Sequence, residues 1–352
     1  MKKLLFAVSI GIALLLALAV APARIASAKP AAQDDQIAQG EYIASIAGCV
    51  GCHSPINLET FTPVPGKEFS GGEPFPLGPL GTVYSKNITQ DKETGLGDWT
   101  DEEIKTAITT GVSKDGLHLF PAMPYLFFNN MADEDLDALV AYLRTIEPIE
   151  NVVERRQILP PEALPKVERK TGIVAPAPSD TAARGRYLMT AILVCNDCHT
   201  PINPETGLPV MEKYLAGGQP FEGPWGTVYG GNITPDEETG IGSWTDADIE
   251  RLLRTQVRPD GRVAVVMPAT LIYTFLSDDD MKAVIYYLRN DVPAVNAVVP
   301  AAELNEGFER FVEIAPETPP VNIPLIAGIV LGVAVLVAGG AFLIMRQRPA
   351  AK

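Results

Sequence analysis

The chain has 352 residues, of which 47% are hydrophobic and 20% charged, and its formal net charge is -15. That length and apolar content support more than one buried core. The acidic excess disfavours nucleic acid and anionic lipid as ligands, and it suits either a basic protein partner or simply the solubility of an exported domain.

Taken in chain order, Lys2 and Lys3 precede an apolar run from Leu4 to Val20, and Ala26-Ser27-Ala28 supplies the small residues that signal peptidase reads. Residues 1–28 are therefore expected to be a secretory signal peptide, with an uncleaved anchor as the alternative. A first domain is expected over 36–150. It opens with a short amphipathic segment, Gln36 to Ala47, and Thr100 with Glu103 then forms a capping box for a helix to about Thr109. A last helix runs from about Asp133 to Ile146, with Leu136, Leu139, Val140 and Leu143 on one face. Residues 151–180 are proline-rich and read as a linker.

A second domain over 181–297 repeats these signals. Its leading segment is Ala182 to Val194, Thr245 with Asp248 makes a weaker capping box, and the helix from Ser277 carries Met281, Val284, Ile285 and Leu288. Residues 298–322 read as a stalk. The apolar stretch Leu325 to Met345 has no polar face and lies within an expected transmembrane helix, 323–345, about 30 Å long. Arg346, Arg348 and Lys352 make 346–352 a cytoplasmic tail by the positive-inside rule. The expected fold class is mainly α: two tandem domains on the extracytoplasmic side of the cell membrane, anchored by a single span.

The two domains are copies. Gly40-Glu41-Tyr42 recurs as Gly185-Arg186-Tyr187, at an offset of about 145 residues. Gly81-Thr82-Val83-Tyr84, Asn87-Ile88-Thr89 and Trp99-Thr100-Asp101 recur as Gly226-Thr227-Val228-Tyr229, Asn232-Ile233-Thr234 and Trp244-Thr245-Asp246. A period this long, present twice, is a tandem duplication rather than a solenoid.

All 4 cysteines fall in Cys49-Val50-Gly51-Cys52-His53 and Cys195-Asn196-Asp197-Cys198-His199. Cys-x-x-Cys-His is the attachment pattern of haem c: two thiols add to the porphyrin vinyl groups, and the following imidazole meets the iron. Disulfides or zinc are the competing readings for exported cysteine pairs, but zinc would need further ligands nearby, and a thioredoxin-like site leaves both histidines unexplained. Two covalently bound haem c groups are expected, on Cys49 with Cys52 and on Cys195 with Cys198, with His53 and His199 as axial ligands.

Met123 and Met267 stand at matching places before the last helix, each followed by proline, and are the candidate sixth ligands of the irons. Met131, Met189, Met211 and Met281 have no counterparts and read as core. His118 reads as a loop histidine near the haem edge, with iron ligation in an alternative state as the other reading. Trp99 and Trp244 either contact haem or fill core. The two Asn-Ile-Thr runs match a glycosylation acceptor, but their repetition favours a structural turn.

The succession Cys-x-x-Cys-His, Asn-Ile-Thr, Thr-Gly-x-Gly-x-Trp-Thr-Asp and Met-Pro resembles the multihaem cytochrome c subunits of membrane-bound quinoprotein alcohol dehydrogenases and sugar-acid dehydrogenases. The resemblance implies class I cytochrome c domains, with His53 and Met123 on one iron and His199 and Met267 on the other. Two departures stand out. Those subunits commonly carry three haem domains, and Ala269 takes the place of Tyr125 after the second Met-Pro. From that difference the second loop is expected to pack less firmly.

The expected function is electron transfer without catalysis, as a relay or subunit of a membrane dehydrogenase or respiratory complex. A dihaem peroxidase, or a direct donor to a reaction centre or oxidase, is the alternative. The expected partners are the membrane and other redox proteins, and no nucleic acid.

Overall fold

The computed structural model describes residues 31–307, apart from 58–59, 61, 78–79, 157, 204–208, 265 and 269–270. The signal segment, the transmembrane segment and the tail lie outside the described residues, as does the stalk beyond residue 307. No helix among the described residues is long and apolar enough to cross a membrane.

The chain divides into two compact units. Among the described residues the first comprises 31–194 with 275–284, and the second 195–274 with 285–307. In the first unit, helix α1 (Ala31–Ile46) packs on helix α5 (Asp133–Leu143). Ile43, Ile46, Leu136, Leu139, Val140 and Leu143 are each at most 3% exposed. The apolar stripe expected on the last helix is thus the core face.

Between these helices lie α2 (Cys49–Cys52), two short antiparallel pairs (β1 Ile56–Asn57 with β2 Thr62–Pro63; β3 Pro74–Pro76 with β4 Thr82–Tyr84), α3 (Asp101–Thr110) and α4 (Tyr125–Phe128). The unit also holds α6 (Thr181–Tyr187), the first helix of the second copy. The expected helix over Ala182 to Val194 instead changes pitch after Tyr187 into a π turn, Leu188–Ile192, where the Leu193 amide bonds the Leu188 carbonyl at 2.7 Å. Leu188, Met189, Ala191 and Ile192 are all buried there, so packing on several sides outweighs simple helical continuation.

The linker is not a loose tether. Asn151 donates to the Ser70 carbonyl at 2.9 Å, Arg155 pairs with Asp115 at 2.6 Å, and Leu164 is 6% exposed.

The second unit contains α7 (Cys195–His199), α8 (Asp246–Thr255) and a sheet of β5 (Pro220–Gly223), β6 (Gly226–Tyr229) and β7 (Glu303–Leu304) in that order. Glu303 pairs with Thr227 and Leu304 with Gly226, so these two residues of the expected stalk form a strand. The final helix α9 (Asp278–Asn290) contributes its residues from Ile285 onward to this unit.

The capping boxes of α3 and α8 are both reciprocal: Thr100 with Glu103, and Thr245 with Asp248. The shorter aspartate closes its box as completely as the glutamate does. Met131, Met189 and Met281 are core at 1–2% exposure, whereas Met211, also expected in the core, is 62% exposed on a short 3-10 turn.

Candidate functional site

Each cysteine pair is brought together by a single turn of helix. In the first copy Gly48 caps that turn in the left-handed conformation (φ 75°), the Cys52 amide bonds Gly48 at 3.1 Å, and the His53 amide bonds Cys49 at 2.8 Å. In the second copy Cys195, Cys198 and His199 share α7. Burial, with Cys52 beside it, pushes the Cys49 thiol up to about 12, and burial takes the Cys195 thiol to about 11. Among the described residues no cluster of three or more His, Cys, Asp or Glu is arranged to hold a metal ion.

The histidines are oriented identically. His53 Nδ1 lies 2.7 Å from the Lys86 carbonyl, and His199 Nδ1 lies 2.7 Å from the Gly231 carbonyl. Burial holds both imidazoles below their usual pKa and therefore neutral. A carbonyl only accepts, so Nδ1 carries the proton and Nε2 keeps the lone pair a metal needs.

What aims those carbonyls is the Asn-Ile-Thr run that follows each. Asn87 accepts from the Thr89 amide (3.0 Å) and hydroxyl (2.7 Å), and donates to the Thr94 hydroxyl (2.9 Å) and the Ile149 carbonyl (2.7 Å). Asn232 repeats this with Thr234, Thr239 and the Val295 carbonyl at nearly equal distances. Asn87 is 3% exposed and Asn232 6%. The motif is a buried turn that fixes the partner of the histidine, not a surface acceptor.

Glycines pack directly against the same carbonyl groups. Gly71 (φ 72°) donates to the His53 carbonyl at 2.7 Å, and a Cβ there would lie 2.4 Å from the Lys86 carbonyl carbon. Gly217 (φ 76°) stands in the same relation to His199 and to the Gly231–Asn232 peptide. Just before them Phe69 and Leu215 adopt φ of 62° and 59°, which is costly for bulky residues. Their amides are satisfied by the hydroxyls of Ser54 and Thr200, each at 3.0 Å. These hydroxyls follow His53 and His199 directly; sequence reasoning missed them, although aligning the two copies would have exposed the pairing.

The methionines lie on separate segments from the histidines. Met123 precedes α4, and its carbonyl accepts from the Tyr125 amide at 2.8 Å. The Met267 amide bonds the Ala264 carbonyl at 3.3 Å, and its own carbonyl accepts from the Gln256 side chain. The loop expected to pack less firmly therefore has a tie of its own. His118 forms an isolated bridge with Val112, and the carbonyls of Trp99 and Trp244 bind Arg144 and Arg289 respectively. The Arg258 guanidinium sits 5.8 Å over the Trp244 ring, and Tyr273 brings its hydroxyl to 3.9 Å from the Cys195 sulfur.

Residues 37–147 match the family model for cytochrome c. A dihaem cytochrome c-type protein of Cereibacter sphaeroides is 31% identical over 273 residues, which cover 74% of this chain and 87% of that protein. The chain belongs to the cytochrome c family.

The residues of this cytochrome fit covalent haem c on the structure itself: two thiols and a neutral, Nδ1-protonated imidazole meet in one helical turn in each copy. The cytochrome is also 33% identical over 271 residues to the fructose dehydrogenase cytochrome subunit of Gluconobacter japonicus, covering 73% of this chain and 53% of that one. It is 33% identical over 284 residues to the gluconate 2-dehydrogenase cytochrome c subunit of Pantoea cypripedii, covering 74% and 60%. The chain thus spans little more than half the length of these subunits.

Proposed function

We propose that the chain is a membrane-anchored dihaem cytochrome that carries electrons outside the cytoplasm, as the cytochrome subunit or relay of a membrane dehydrogenase. Cys49 and Cys52 would hold one haem and Cys195 and Cys198 the other, with His53 and Met123, and His199 and Met267, as the axial pairs. The haem supplies a one-electron iron couple whose potential a thioether ligand raises. The chain's own part is to keep Nε2 of each histidine unprotonated through the Lys86 and Gly231 carbonyls and to bring the sulfur ligands on their proline-bounded loops.

The observation that carries this reading is the identical histidine environment in both copies, down to the Asn-Ile-Thr turn behind it. Two such sites suit a relay. The acidic surplus suits docking to a basic redox partner, and the relatives named as dehydrogenase subunits support a dehydrogenase as that partner. The test is the spectrum of the oxidised protein, which should show near-infrared sulfur-to-iron absorption with the intensity of two haems. If one iron is instead high-spin and binds peroxide rapidly, the peroxidase reading replaces the relay for that domain.

A further inference from the structure

The two copies hold their methionine loops by different means. In the first, α3 ends at Gly111 in the left-handed conformation (φ 72°), and the Tyr125 ring lies directly over it. A Cβ on Gly111 would come within 2.6 Å of that ring. Tyr125 is 1% exposed, and its amide bonds the Met123 carbonyl at 2.8 Å, so the ring clamps the loop onto the helix end.

In the second copy neither residue is retained. The helix-ending position is Gln256, and the sequence has Ala269 in the place of Tyr125. Gln256 nonetheless keeps the left-handed backbone, with φ 64°, a conformation that glycine adopts at less cost.

A glutamine held there supplies what glycine cannot. The Gln256 amide bonds the Leu252 carbonyl at 2.8 Å and ends the helix, and its carbonyl accepts from the Ala264 amide at 2.9 Å. Gly111 makes the equivalent two backbone bonds, to Ala107 and Leu119. The added element is the side chain: Gln256 Nε2 donates to the Met267 carbonyl. Because that partner only accepts, the orientation of the amide is unambiguous.

We propose that Gln256 is the positioning residue of Met267, its side-chain amide replacing the aromatic clamp of the first copy and holding the thioether where the second iron needs it. This rests on the reading of Met267 as axial ligand. The left-handed glutamine is then a local strain retained for a functional contact.

The test uses the full-length holoprotein and the kinetics of cyanide binding to its oxidised form, a reaction gated by release of the methionine. Met267→Ala identifies the phase belonging to the second haem, because that phase becomes fast. Gln256→Gly should accelerate the same phase by about three- to tenfold, the equivalent of one lost hydrogen bond, and leave the other phase unchanged. It should also raise the thermal midpoint or leave it unaltered, since glycine relieves the strained backbone. A merely structural glutamine would lower the midpoint and leave the ligand kinetics alone.

An unchanged second phase in Gln256→Gly, with a responsive one in Met267→Ala, overturns the role of Gln256 and keeps Met267 as ligand. A Met267→Ala protein with wild-type kinetics overturns the ligand itself.

Discussion

Replacing Asp280 with alanine should destabilise the protein more than the matching change at Asp135, although the two carboxylates occupy equivalent positions in the repeat. Asp280 is buried in the first unit against Arg184, with Nε–Oδ1 at 2.7 Å, Nη2–Oδ2 at 2.8 Å and side-chain exposures of 3% and 6%. The Tyr42 hydroxyl donates to it at 2.5 Å while accepting from the Ser277 amide. Asp135 receives the Tyr187 hydroxyl at 2.6 Å and Gln39 Nε2 at 2.9 Å, and Tyr187 accepts from the Ala132 amide. The networks match except that Gln39 stands where the second copy has Arg184.

Asp135→Ala removes two bonds from neutral donors, about 1–3 kcal/mol. Asp280→Ala leaves a buried guanidinium without its bidentate partner, about 3–5 kcal/mol. Arg184→Met with Asp280→Leu removes both charges and should recover most of that loss. The assay is urea unfolding of the holoprotein by far-ultraviolet circular dichroism, comparing midpoints at constant slope. If Asp135→Ala costs as much as Asp280→Ala, or the double substitution recovers nothing, the unpaired cation is not what decides the cost.

The same cluster should be sensitive to alkali. Burial and the hydrogen bond to Asp280 push the Tyr42 phenol up from 10.0 to about 12, so its contribution is intact below pH 10 and is lost as pH rises from 10 towards 12. Urea midpoints measured across that window should fall, and Tyr42→Phe should remove this part of the fall. Thr100→Ala and Thr245→Ala should each cost about 1 kcal/mol, with equal values for the two capping boxes, by the same unfolding assay. With the proposed signal peptide and anchor, N-terminal sequencing of the purified protein should begin at Lys29, and deletion of residues 323–352 should move the cytochrome into the soluble fraction after a high-salt wash. Retention in the membrane would point to another anchor.

The sequence by itself determined the features that are local. Cys-x-x-Cys-His needs only one helical turn to assemble two thiols and an imidazole, the capping boxes span three residues, and the stripe on the last helix follows from a period of 3.6. The duplication added a second, independent reading of each motif, which separated Met123 and Met267 from the other methionines.

What only the tertiary structure decided are contacts between segments that local propensity does not connect. The carbonyl that orients His53 lies 33 residues away, and Tyr42 meets Asp280 across 238. Asn-Ile-Thr could be told from a surface acceptor only by its burial, and Gln256 reads as an ordinary polar residue until its left-handed backbone and the Met267 carbonyl are placed together. Such bonds depend on distant segments meeting in space, where an unsatisfied buried donor or acceptor is costly, and a pattern of neighbouring residues carries no record of that meeting.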